Sequence, residues 1–89
     1  MNDKVYVVMG HCGEYSDRCE WPVVAYTDKE KAIKHADAAT QLAIKYYKGC
    51  RGVHTYKKEA LREALGGLDD SAETDYTGTD WFVLEVPLR

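Results

Sequence analysis

Five consecutive apolar residues, Val5-Tyr6-Val7-Val8-Met9, run straight into Gly10-His11-Cys12-Gly13. A short segment that is apolar at every position has no solvent face to offer, so it cannot be an open edge strand. It predicts the central strand of a small sheet, covered on one side by a helix. The rest of the chain must then supply its neighbours. With 89 residues there is room for one domain, spanning 1–89. A chain of this length buries only about 60% of the surface its unfolded form exposes, so a partner or a second copy can contribute materially to its stability.

The neighbours are legible in order. The first strand is expected over 4–10, followed by a polar connection, His11-Cys12-Gly13-Glu14-Tyr15-Ser16-Asp17-Arg18-Cys19. That is longer than the usual hairpin loop, and long loops in compact domains tend to be functional or mobile. A second strand over 20–27 alternates so as to place Trp21, Val23 and Ala25 on one face and Val24 and Tyr26 on the other. Pro22 lacks a backbone N–H and cannot complete a ladder on both sides, which places this strand, or at least its first residues, at an edge.

Thr27-Asp28-Lys29-Glu30 has the form of a capping box with Thr27 as N-cap, and it predicts a helix from there to Gly49. At 100° per residue, Ala32, Ala36, Ala39, Ala43, Tyr46 and Tyr47 form one stripe, flanked by Ile33, Leu42 and Ile44. Lys31, Lys34, Asp37, Gln41, Lys45 and Lys48 lie opposite. Four alanines on the packed stripe allow the helix axis to approach the sheet closely. A second, shorter helix is expected from an N-cap at Thr55, with Tyr56, Ala60, Leu61, Ala64 and Leu65 at helical spacing and Gly66-Gly67 as its stop. Residues 68–80 are rich in Asp, Ser, Thr and Gly and read as a loop, with Tyr76 as its packing anchor. The last strand covers 81–88.

Short connections and sequential adjacency favour a last strand antiparallel to the first. The fold expected is therefore α+β: β-β-α-α-β, with a three-stranded antiparallel sheet in the order 2-1-3, a long helix and a shorter one. This topology carries both polar loops, 10–20 and 69–80, to one end of the sheet. His11, Glu14, Tyr15, Asp17, Tyr76 and Asp80 then become the candidate site, able to bind a cation, a polar small molecule or a basic peptide. The same residues could instead tie the loops down by hydrogen bonding, and in a chain this small that scaffold role is the favoured one.

Other chemistries are weaker. His11, Cys12, Cys19, Cys50 and His54 contain zinc-ligand types, but C-x6-C is wider than the usual pair spacing, and no metal or cofactor is expected. Cys12 as a nucleophile would need His11 as base, yet adjacent residues of an extended segment point to opposite sides. Gly10-His11-Cys12-Gly13 has neither a Walker lysine nor a dinucleotide glycine pattern.

Charge is unevenly distributed. Lys29 to Arg62 holds nine Lys/Arg against three acids, whereas the whole chain is at −3. A lysine-rich helix face with Tyr46, Tyr47 and Tyr56 could suit nucleic acid, but the overall acidity and the packed positions of the tyrosines argue against it. No apolar run reaches the roughly 18 residues of a membrane span, and the first residues lack the apolar core of a signal peptide. Together with an odd number of cysteines, this leads to the expectation of a cytoplasmic protein with reduced thiols.

One resemblance adds a setting. Val5-Tyr6-Val7-Val8, Gly10-His11, Gly13-Glu14-Tyr15-Ser16-Asp17, Glu20-Trp21-Pro22-Val23 and Asp75-Tyr76-Thr77-Gly78-Thr79-Asp80-Trp81-Phe82-Val83-Leu84-Glu85-Val86 resemble a group of short bacteriophage and prophage proteins to which no activity is assigned. The resemblance implies a phage accessory protein acting in the cytoplasm of the bacterial host, and it transfers no catalytic role. The function expected is non-enzymatic: binding a protein partner, of host or phage, or self-association. The alternative is a ligand- or metal-binding, possibly hydrolytic, domain using the two converging loops.

Overall fold

A computed structural model describes residues 4–13, 18–49, 57–74 and 78–88. The elements are β1 (Lys4–Cys12), β2 (Cys19–Tyr26), α1 (Lys29–Gly49), α2 (Lys58–Ala64) and β3 (Thr79–Pro87). The sheet order is β2-β1-β3, and both pairings are antiparallel. The all-apolar segment is thus the central strand. The proline-bearing strand is an edge strand, with Pro22 opposite Met9. A thickness of 16 Å along the shortest axis corresponds to two layers, α1 packed on one face of the sheet.

The alanine stripe of α1 meets that face. Ala32, Ala39 and Ala43 are fully buried and Ala36 nearly so, together with Val8, Trp81, Leu61, Leu65 and Ala72. Of the expected flanking residues, Leu42 packs against this core, whereas Ile33 and Ile44 are exposed. The helix starts one residue later than the capping-box reading: Asp28, not Thr27, is the N-cap, its Oδ1 accepting the amide of Glu30 at 2.9 Å. At its far end, the Tyr47 hydroxyl donates to Thr79 Oγ1 (2.9 Å), and the Thr79 hydroxyl in turn donates to the carbonyl of Glu73 (2.8 Å). Mid-helix, Thr40 Oγ1 accepts the amide of Trp81 at 3.1 Å. That bond satisfies a main-chain donor on the outer side of an edge strand, one of the devices by which sheet edges are kept from pairing with other chains.

The shorter helix also differs from expectation. It runs over Lys58–Ala64, and Thr55 and Tyr56 lie outside the described residues. Its N-cap residue, Lys57, makes no side-chain cap hydrogen bond; instead the Tyr46 hydroxyl bridges Lys57's own carbonyl and amide. Of the expected stripe only Leu61 and Leu65 are buried, while Ala60 and Ala64 are exposed. Gly66 and Gly67 adopt φ of 62° and 89°, the left-handed conformation that ends the helix.

Two differences in the sheet matter for function. Its strands are longer than expected, extending to Cys12, from Cys19 and from Thr79, so that both loops shrink. And the β1–β2 register shifts between Val8 and Met9, leaving Val23 as an extra residue in β2. This β-bulge reverses the alternation beyond it. Trp21 therefore shares the α1-facing side with Val24 and Tyr26, instead of the side expected from strict alternation.

Candidate functional site

The α1-facing side beside the bulge is organised by a residue that the sequence presents only as a turn former. Asp69 is 2% exposed, and its Oδ2 accepts both Trp21 Nε1 (2.7 Å) and Trp81 Nε1 (2.9 Å), one indole from each edge strand. Its Oδ1 takes the amide of Ser71 at 2.9 Å. Three donors on one buried carboxylate satisfy the group and pin residues 65–72 across the sheet. Trp21 reaches this point by lying flat over Gly10: a Cβ at that position would stand 2.2 Å from the ring. Gly10, expected to open a loop, is in fact the bare patch of strand on which an indole rests. Nearby, His35 Nε2 lies 2.8 Å from the Leu68 carbonyl. With that nitrogen donating, Nδ1 accepts from the Tyr26 hydroxyl at 3.0 Å. Arg62 Nε donates to the Ala72 carbonyl (3.0 Å). These polar groups are engaged in holding the fold.

The other side of the sheet is different. Every second residue of β1 (Val5, Val7, Met9, His11) points away from α1, alongside Phe82, Leu84, Val86 and Asp80 of β3 and Ala25, Pro22 and Glu20 of β2. Among the described residues no element crosses this face: α1 is the one helix packed on the sheet, and α2 packs on α1. Leu84 is 46% exposed on β3, and Pro22 and Ala25 are exposed on β2, across β1 from it. The centre of the face is wholly apolar.

At one end of this face lies a polar row. His11 stands between Glu20 on β2 and Asp80 on β3, its register partners on either side. His11 Nδ1 is 2.7 Å from Asp80 Oδ1, and Arg18 pairs with Glu20 at 3.2 Å. Of the candidate residues, His11 and Asp80 are thus brought together, as the antiparallel topology requires. Glu14, Tyr15, Asp17 and Tyr76 lie outside the described residues, as do Cys50 and His54. The carboxylate orients the imidazole and leaves Nε2 directed elsewhere, the arrangement of an oriented base. The adjacent thiol, Cys12, is on the α1-facing side. Among the described residues no group of three His, Cys, Asp or Glu side chains has the geometry to hold a metal ion, and no helix is long and apolar enough to cross a membrane.

Comparison with protein-family models, with curated proteins and with solved structures found nothing that matches this chain.

Proposed function

We propose that this chain is a non-catalytic accessory protein that works by self-association, two copies stacking their open sheet faces. In the setting implied by the phage-like strings, it acts in the bacterial cytoplasm. The observation that carries the reading is the apolar face formed by Val5, Val7, Met9, Phe82, Leu84 and Val86, which no described element covers.

Size and charge favour a second copy as the occupant. Three strands of nine residues or fewer outline about 430 Å² at the usual strand spacing and rise. With side-chain relief, two such faces bury on the order of 1,000 to 1,200 Å² together, the lower limit for a specific interface and in the range of weak dimers. Sheet-on-sheet stacking needs a flat apolar centre on both partners, and one face supplies both by symmetry. The polar groups described at its rim already have partners, His11 with Asp80 and Arg18 with Glu20, so stacking strands none of them.

Sedimentation equilibrium over a wide concentration range tests this, with Leu84→Lys as the control. A concentration-dependent dimer that the substitution abolishes supports the proposal. A chain monomeric at every concentration removes it, and a stoichiometric complex with a different protein, lost in the same variant, reassigns the face to a heterologous partner.

A second reading has one observation of its own, the 2.7 Å contact between His11 and Asp80. In that reading the loops 10–20 and 69–80 bind a ligand, with His11 as base or ligand contact. A ligand at 100 times its Kd adds about 2.7 kcal/mol of stability. Thermal-shift screening with metal ions, nucleotides and sugars would therefore detect it, and a melting temperature unmoved by any of them or by chelator counts against it.

A further inference from the structure

Cys12 closes β1, Cys19 opens β2, and the two are direct partners in the antiparallel register. Directly opposed residues share a face of the sheet and hold their Cα atoms about 4.5 or 5.5 Å apart. Both separations lie inside the window of about 4.4 to 6.8 Å that a disulfide requires. Neither residue is joined in a disulfide. From this geometry we infer that Cys12 and Cys19 are an oxidisable cross-strand pair, converted by hydrogen peroxide to an intramolecular disulfide at the foot of the β1–β2 connection.

The register that opposes them is fixed from the next inward pair of the same face. Trp21, two residues on from Cys19, is seated over Gly10 and bonded to buried Asp69. Slipping β2 by one residue would turn Trp21 to the opposite side and break that bond, so the alignment of the two thiols does not drift. Their exposures divide the labour: Cys19 is exposed and Cys12 is 5% exposed. Solvent-borne oxidant therefore meets Cys19 first, and Cys12 is the resolving thiol.

The chemistry balances. The Cys19 thiolate attacks one oxygen of hydrogen peroxide, the O–O bond breaks, and the departing hydroxide takes up the proton that the thiol released, leaving a sulfenic acid and one water. The Cys12 sulfur then attacks the Cys19 sulfur, the S–O bond breaks, and the second water leaves with the Cys12 proton. Two electrons pass from the two sulfurs to peroxide. The bridge ties the ends of the segment 12–19 together on the α1-facing side, leaving the open face and the His11–Asp80 pair untouched. The inference therefore stands independently of the self-association reading.

The sequence provides a clean assay. Trypsin cleaves after Lys4, Arg18 and Lys29, which places Cys12 and Cys19 on different peptides. The full-length reduced chain is treated with equimolar hydrogen peroxide, alkylated under denaturing conditions, digested without reductant and analysed by mass spectrometry. The expected result is peptide 5–18 joined to peptide 19–29, about two mass units below their sum, with Cys50 alkylated. The oxidised chain should melt roughly 10 °C higher, reversibly with dithiothreitol. Cys50→Ser should retain both effects and Cys19→Ser should lose both. Bridges that contain Cys50, bridges only between chains, or Cys19 oxidised to sulfinic acid while Cys12 still alkylates would each overturn the inference.

Discussion

Replacing Asp69 by Asn probes the linchpin of the fold with almost no change of shape. The carboxylate accepts three N–H groups within 2.9 Å, two on Oδ2 from Trp21 and Trp81 and one on Oδ1 from Ser71. An amide has a single acceptor oxygen. If that oxygen serves the indoles, the new NH2 opposes the Ser71 amide; if it is flipped, both indoles lose their acceptor. The cheaper arrangement leaves one buried donor unpaired and weakens the other two bonds by removing the charge, at a cost of about 2 kcal/mol. For a chain of this size that lowers the melting temperature by about 8 to 16 °C. Asp69→Ala, which strands every donor, should cost about 3 to 5 kcal/mol. Thermal unfolding followed by far-UV circular dichroism measures the loss, and near-UV spectra report the tryptophans directly. Asp70→Asn is the matched control: Asp70 is exposed, and its substitution should fall within about 0.5 kcal/mol of the parent. Asp69→Asn and Asp70→Asn melting at the same temperature would refute the reasoning, as would a double-mutant cycle of Asp69→Asn with Trp81→Phe that shows no coupling.

The remaining predictions concern the packed helix, the bare strand and the open face. Ala39→Leu, at a position with no exposed surface, should destabilise by about 1 to 3 kcal/mol in urea unfolding, whereas Lys34→Ala should change stability by less than about 0.5 kcal/mol. Equal effects would mean that α1 packs through a different side. Gly10→Ala drives a methyl into the Trp21 ring and should cost at least about 2 kcal/mol, with a matching change in tryptophan fluorescence; an unchanged spectrum would show that the ring does not lie there. Leu84 has 46% of its surface still to bury, worth about 0.7 to 1.4 kcal/mol per copy and twice that in a symmetric pair. Leu84→Ala should therefore weaken dimerisation roughly 10- to 100-fold by sedimentation, and a Kd unchanged by the substitution would place the contact elsewhere.

The features legible in the sequence were those encoded by neighbours. An unbroken apolar pentad identified the central strand, a proline identified an edge, alanines three or four residues apart identified the packed side of α1, and paired glycines marked the end of α2. These signals are local and repeat at the period of the element that carries them. What escaped reading depends on residues far apart in the chain. Asp69 has the composition of a turn and became the acceptor for indoles 48 and 12 residues away. Gly10 looked like the start of a loop because nothing adjacent to it shows that a tryptophan will lie across it. The N-cap fell to Asp28 instead of Thr27, a one-residue ambiguity that two good capping residues in succession leave open. In the candidate site, strand direction alone was enough to bring His11 to Asp80. The wider outer face needed the register of all three strands, because half of its residues alternate with ones that belong to the core.

The supernumerary valine in β2 has a reach out of proportion to its size. Were Val23 instead paired with Met9 in unbroken alternation, every earlier residue of β2 would fall one place further along β1, sending the indole of Trp21 to the outer side and carrying Cys19 past its partner thiol. Pro22 would take the ring's place opposite Gly10, and Glu20 would turn to the α1-facing side opposite Cys12. One extra residue thus decides which side chains of β2 face the helix and which face the side that no described element covers.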